Sequence, residues 1–359
     1  MKMSQPIHTS ARAFFQQMMR KPLFKIREHG KYGFMDASGE VVIEPQYFEV
    51  EDFYNGFARV RLNDKPVPLD SLGRLLMKHV FNYVGHFEEG LARVRLVNKW
   101  GYIDTRGRIA IPITFEDASD FSEGLAAVRV DGLYGYIDNE GSFVIPAQFE
   151  WAGDFSLGLA PAIMDGQTGF IDKFGTFVIE PRYEHCFPFQ DDEIAVFTQG
   201  AQWGFLNRSG QVLHPPAFDI FEGVPFGLFF DGMAQIVQRD RYGFVNKRGR
   251  IVIEPQYDFA GDFSEGLALI EQDGRFGYID LQGRIVIEPQ FEDAGVFSEG
   301  LAQVKVGGLW GFIDLGGKLV IQPRFEQVLP FRDGLAWVAY QGLWAYIDRW
   351  GDLVWREKV

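Results

Sequence analysis

The sequence predicts an all-β tandem repeat array of about ten three-stranded antiparallel units. Three observations carry that expectation. An Asp or Asn followed three positions later by glycine recurs from Asp36/Gly39 to Asp348/Gly351. The spacings between successive glycines are 34 residues, apart from one of 35 and one of 39. Most markers follow a short strand-like segment built on an aromatic-glycine pair, and most precede an apolar run closed by proline. A link of the kind Asp262-Phe263-Ser264-Glu265-Gly266 then leads into the next unit. A fixed period of this size marks a repeat architecture, in which neighbouring units supply one another's core.

Residues 1–22 read as a leader and a short capping helix. Ser10 can cap a helix from Ala11 to Arg20. Its apolar residues Phe14, Phe15, Met18 and Met19 lie on one side, so the helix is expected to cover the open core of the first unit. An amphipathic helix for a partner is the alternative. Residues 23–359 form the array. A leading strand, such as Leu125-Ala126-Ala127-Val128-Arg129, passes through a two-residue turn at Asp131-Gly132 into the aromatic-glycine strand. The Asp-x-x-Gly turn follows. Its Asp or Asn oxygen can accept backbone amides, and its glycine tolerates positive φ. One carboxylate per turn is too few for calcium, which needs several converging oxygens. The third strand, such as Arg284-Ile285-Val286-Ile287, is expected to end at the proline, which lacks a donor. The aromatic two positions later, as at Tyr257, Phe291 and Phe325, should turn into the core or begin a short fourth strand. The link phenylalanines, from Phe53 to Phe331, read as buried plugs and account for much of a phenylalanine count of 35.

With three strands per unit and ten units, an open curved superhelix is favoured over a closed propeller-like ring, since propellers commonly use four-stranded blades in smaller number.

Composition bounds the function. The formal charge of −14 disfavours an extended nucleic-acid surface and simple attraction to anionic membrane. No apolar run is long enough for a membrane helix, and the start, Met1-Lys2-Met3-Ser4, lacks a signal-peptide core. The six histidines show no metal-ligand spacing, and the lone Cys186 fits a reducing compartment. A cytoplasmic location is therefore expected, with no cofactor and no metal.

The repeat resembles the WG β-repeat of bacterial proteins. The resemblance rests on Tyr32-Gly33, Trp100-Gly101, Tyr134-Gly135, Trp203-Gly204, Tyr242-Gly243, Phe276-Gly277 and Trp310-Gly311, with the Val-Ile-x-Pro run and Phe-Ser-Glu-Gly-Leu-Ala, over about residues 23–356. It implies a binding or scaffolding part and no catalytic residues. Four places depart from the pattern. Lys65-Pro66-Val67-Pro68 replaces the aromatic-glycine pair, which predicts a short or distorted strand. Thr168-Gly169 lacks the ring, and Trp344-Ala345 lacks the glycine. The link at about 211–235 is five residues longer than the period allows.

Several groups could bind or react. The aromatic-glycine rings could stack on a ligand, but repetition at fixed phase favours packing. His185 and Cys186 are adjacent in an extended link and should face apart, unlike a nucleophile and its base. His79 and His86 alone make a poor metal site. The acids before the link glycine, Glu89, Glu123, Asp231, Glu265, Glu299 and Asp333, form a row that suits turn capping, a solvated face or a basic partner. The sequence therefore predicts a non-catalytic protein-binding or scaffolding module. A carbohydrate or cell-envelope binder is the alternative, and an enzyme with a site in an inter-repeat cleft is the second. The candidate partner-binding residues are Pro225, Phe226, Leu228, Phe229 and Phe230. They lie in the enlarged link, and arrays place insertions on binding faces.

Overall fold

The computed structural model describes residues 22–77, 81–190, 194–219 and 228–358. The expected helix over 10–20 lies outside the described residues, as do His79, Pro225 and Phe226. The chain divides into two compact units, Met1–Thr114 with Glu357–Val359, and Phe115–Arg356.

In the second unit the described residues form seven open antiparallel sheets, six of four strands and one of three. A representative sheet comprises Asp293–Ala294, Leu301–Val306, Leu309–Asp314 and Leu319–Phe325. The expectation of three strands is thus corrected. The link itself adds a two-residue strand, pairing Asp293 with Lys305 and Ala294 with Val304. This covers an edge of the leading strand that would otherwise offer unpaired backbone groups.

The proline strand also differs from expectation. It does not stop at proline but runs through it to the aromatic, as in Ile285–Phe291. Ile279 pairs with Ile285, Tyr278 with Ile287 and Phe276 with Phe291, with shifts of register between them. The proline sits in this irregular stretch, where its missing donor costs no ladder bond. The same feature explains the glycine of the aromatic-glycine pair. A Cβ on Gly277 would lie 2.5 Å from the Ile287 carbonyl oxygen and 2.6 Å from the Pro289 nitrogen. Ala345 is tolerated because its partner strand, Leu353–Arg356, pairs with it directly, Ala345 opposite Arg356.

The core lies between successive sheets. One buried cluster joins Leu267, Leu269, Tyr278, Ile287 and Phe291 of one repeat to Phe297, Ala302, Val304 and Ile313 of the next. The plug Phe297 meets the Tyr278 ring at 4.9 Å, and Phe263 and Phe331 repeat the contact on Phe244 and Phe312 at 4.7 and 4.9 Å. Burying one such ring is worth about 2–3 kcal/mol.

Three kinds of polar or close-packed stitch recur between neighbouring repeats. Gly283, at φ +78°, lies against Ile253 of the preceding proline strand, so its turn glycine serves contact as well as conformation. The Ser264 and Ser298 hydroxyls donate to the Phe297 and Phe331 carbonyls at 2.8 and 2.7 Å. The Gly300 and Gly334 amides donate to Glu265 and Glu299 of the preceding link, each at 2.9 Å.

In the first unit, Phe24–Glu28, Lys31–Met35 and Val41–Tyr47 form a three-stranded sheet. Lys358 bridges Glu28 in parallel, and its ammonium lies 3.0 Å from the Glu28 carboxylate. The segment expected to be short is intact. Lys65–Asp70 pairs with Phe57–Leu62 along its whole length. Among the described residues its sheet has two strands, with a single bridge from Leu69 to Leu75 beyond them. Pro68 directs its carbonyl to the far edge, where it accepts from the Leu76 amide at 3.0 Å. Proline on that edge cannot donate to a further ladder. The remaining sheet, Tyr83–Glu88, Leu91–Leu96, Lys99–Asp104 and Ile109–Phe115, has four strands.

Candidate functional site

The extra residues of the enlarged link fall between the core aromatic and the plug. Phe218 and Phe229 are 11 positions apart, where Tyr257 and Phe263 are 6 apart, a gain of 5. Residues 220–227 lie within that interval. Phe218 is fully buried and holds the place of Tyr257. Phe229 holds the plug position, half-buried against the cluster of Trp203, Phe205 and Phe218, its ring edge-on to Phe205 with centroids 5.7 Å apart. Its amide donates to the Gln190 side-chain oxygen at 3.0 Å. Leu228 and Phe230 are each 40% exposed. Phe230 stands where four other links carry Ser122, Ser156, Ser264 or Ser298 and three carry Tyr54, Glu88 or Arg332, in the same two-residue hairpin closed on Met233. A ring there cannot make the serine-to-carbonyl stitch. Of the three described candidates, Phe229 therefore belongs to the core edge, and Leu228 and Phe230 to the surface.

Beside this hairpin lies the turn Asn246-Lys247-Arg248-Gly249-Arg250. Met233 is in register with Asn246, and a Cβ on Gly232 would touch the Lys247 stem at 3.6 Å. The turn is built like its relatives. The Asn246 side-chain oxygen accepts the Arg248 and Arg250 amides at 3.0 and 3.1 Å. In the equivalent turn Asp280 accepts the Gln282 and Arg284 amides, both at 2.9 Å. The difference is the second side-chain atom. Asp280 Oδ2 also accepts the Arg284 guanidinium at 2.6 Å, as Asp70 and Asp104 accept Arg74 and Arg108. Asn246 offers an NH2 group there, so Arg250 loses that acceptor. Among the described residues no ion pair or side-chain hydrogen bond engages Arg248 or Arg250, and both are exposed. The nearest acid of the hairpin, Asp231, accepts the Gly266 amide at 2.7 Å.

These carboxylates show the electrostatics of the turns. Burial opposes charge on Asp280 and Asp104, but hydrogen bonds from the arginine side chains and turn amides outweigh it and hold both below the usual carboxylate range.

The other sequence candidates are structural. In the acidic row, Glu123, Asp231, Glu265 and Glu299 each accept a glycine amide of the next repeat. The row therefore caps neighbouring turns rather than forming a free solvated face. A second set escaped the sequence reading. Glu116, Glu150, Glu184, Asp258, Glu292 and Glu326 cap the hairpin turn between the first two long strands. The available signal was an acid directly after each core aromatic. The aromatic-glycine rings are half-buried or buried, and several lie under a cation from the facing strand, as Trp100 under Arg95 and Trp310 under Lys305. Thr168, which replaces one ring, is buried and donates to the Glu184 carbonyl at 3.0 Å. Cys186 is buried, its thiol pushed up by burial, while His185 is exposed. The two side chains do not face each other. His86 Nε2 accepts from the Arg59 guanidinium at 3.2 Å. Among the described residues no group of three or more His, Cys, Asp or Glu could hold a metal ion, and no helix is long and apolar enough to cross a membrane.

Eight stretches, 32–65, 69–100, 100–134, 134–167, 169–201, 242–276, 276–310 and 310–344, match the family described as WG containing repeat. The chain belongs to that family. The unmatched interval 202–241 contains the enlarged link. No curated protein matches the sequence. Among solved structures, a eukaryotic initiation factor is similar with a TM-score of 0.52 at 12% identity, covering 95% of this chain and 96% of that one, a likeness of fold alone. AztD from Citrobacter koseri aligns over 94% of both chains at 10% identity, with a TM-score of 0.34.

Proposed function

We propose that this WG-repeat chain is a non-catalytic protein-binding module that docks its partner at the enlarged link. The observation that carries the reading is the placement of Leu228 and Phe230, each 40% exposed, side by side in the one enlarged link, at a place where four other links present serine. Exposed apolar clusters commonly mark interfaces, and a large aromatic becomes a strong anchor once a partner desolvates it. Pro225 and Phe226 extend the same apolar segment in sequence, and Phe229 braces it from the core side. The repeats on either side act as a scaffold. No constellation of perturbed acid, base and nucleophile competes with this reading among the described residues.

The test uses the full chain as bait, with Leu228→Ser and Phe230→Ser variants. The expected result is loss of a saturable, stoichiometric partner with the melting temperature unchanged. Variants that lose several degrees of melting temperature but keep the partner would assign both residues to the core instead.

A further inference from the structure

The Asn turn beside the link adds a charge to that surface. Arginine occupies the residue after the turn glycine four times, at Arg74, Arg108, Arg250 and Arg284. Three of the four are held by the aspartate of their own turn, at 2.6 Å in each case. Arg250 alone follows an asparagine. The backbone of the turn is kept, because the amide oxygen still caps it at 3.0 and 3.1 Å. Only the carboxylate oxygen that would neutralise the guanidinium is gone. Asn207 makes the same replacement one repeat earlier, but there the following residue is Gln211, which its side-chain NH2 reaches at 3.3 Å. The chain thus exposes an unneutralised arginine where the apolar link emerges. Arg248 adds a second, in a protein of net charge −14.

We propose that Arg248 and Arg250, together with Phe230 and Leu228, form a docking surface for an acidic peptide segment of a partner protein, one that alternates carboxylates with apolar side chains. The proposal rests on the docking role of the link and specifies the chemistry of what docks there. Guanidinium groups favour carboxylates because their planar donors match two oxygens at once. Two fixed cations beside an apolar step select for an acid next to a hydrophobic residue, since the acid alone gains little at an exposed site. The overall negative charge repels a uniformly acidic chain elsewhere on the protein, so local charge also sets the register of docking.

The experiment measures fluorescence anisotropy of a labelled alternating Glu-Leu peptide with the full-length protein, beside an alternating Gln-Leu peptide and a single-stranded oligonucleotide. Salt is varied from about 50 to about 300 mM, enough to screen exposed charges. The Glu-Leu peptide is expected to bind best and to weaken with salt. Arg248→Gln with Arg250→Gln should weaken it by about tenfold or more, and should flatten the salt dependence. Asn246→Asp supplies the missing carboxylate to Arg250 without disturbing the turn, and should weaken binding while the melting temperature holds or rises. Equal binding of the Glu-Leu and Gln-Leu peptides, or wild-type affinity in Asn246→Asp and in the double variant, would overturn the charge assignment. If Phe230→Ser still abolishes binding in that case, the link remains the docking site and only its proposed chemistry fails. Tighter binding of the oligonucleotide through the same arginines would overturn the peptide assignment. Unchanged Glu-Leu binding in Phe230→Ser, with loss in the arginine variants, would instead remove the link from the site.

Discussion

The seventh and eighth repeats, Met233–Tyr257 and Leu267–Phe291, share nearly one text but differ at their margins. Both have the same register shifts between the aromatic-glycine and proline strands, and both hold a fully buried central ring, Phe244 or Tyr278. The eighth is flanked by Phe259–Ser264 and forms a four-stranded sheet, whereas among the described residues the seventh shows three strands. The eighth pairs Asp280 with Arg284, whereas the seventh sets Asn246 beside Arg250. The core is therefore indifferent to what happens at the link and the turn. Change can collect at the margins because the buried apolar contacts carry the stability.

The largest effect expected from this contrast is at the plugs. Phe263 is 2% exposed and 4.7 Å from Phe244, so Phe263→Ala should cost about 3–5 kcal/mol by chemical denaturation. Phe229 is only half-buried and further from its partner ring, so Phe229→Ala should cost less than half as much. Equal losses would show that the enlarged link is packed as tightly as the regular ones. Next come the glycines beneath the proline strands. Gly243→Ala and Gly277→Ala meet backbone at 2.5 Å in both repeats, and each should cost about 1–3 kcal/mol or more. A difference between the two would break the claim that the cores are alike. The reverse change, Ala345→Gly in the last repeat, should cost no more than about 1 kcal/mol.

What could be read from the sequence follows the same division. The period, the hairpin turns and the plugs were legible because each leaves a local mark, such as Asp131-Gly132 or the phenylalanine of the link. The fourth strand was legible only as an alternative starting at the core aromatic, since Asp293–Ala294 lies just beyond Phe291, is two residues long and is defined only by its partners Lys305 and Val304. The run through Pro289 was hidden for a related reason. The proline signals a missing donor, but only the register shows that no donor was needed there. At the candidate site the sequence marked the whole apolar segment. It could not separate Phe229 from Phe230, because neighbouring residues of a strand point to opposite sides. The significance of Asn246 also required the structure, which places Arg284 on Asp280 and so shows what Arg250 lacks.

Smaller effects sharpen the turn comparison. Asp280→Asn should cost under about 1 kcal/mol, since its arginine partner is exposed, and Asn246→Asp should gain a similar amount. Acid titration extends the contrast. The Asp280 carboxyl is held below its ordinary value of 3.8, so its contribution is full above that pH and fades as pH falls through the lower folded value. Denaturation of Asp280→Asn should therefore show a shallower loss of stability between pH 4 and pH 2 than the wild type, as about one carboxylate fewer must take up a proton. An unaltered slope would show that the arginine and amide bonds add nothing to the folded state.

The carboxylate-to-glycine stitches have a consequence for how such a chain can change length. Glu123, Asp231, Glu265 and Glu299 each reach a glycine 35 positions on. Donor and acceptor therefore belong to adjacent copies of one text, and most copies carry both halves of the joint, Leu157 and Asn55 replacing the acid in two links. A gene duplication or deletion of one whole period rejoins compatible ends at either breakpoint. A fragment of a period leaves an acid without its amide and an amide without its acid. The joint thus acts as a proofreading rule on recombination, admitting copies by the whole unit and confining odd lengths to places such as the span between Phe218 and Phe229, where residues are added before the next joint begins.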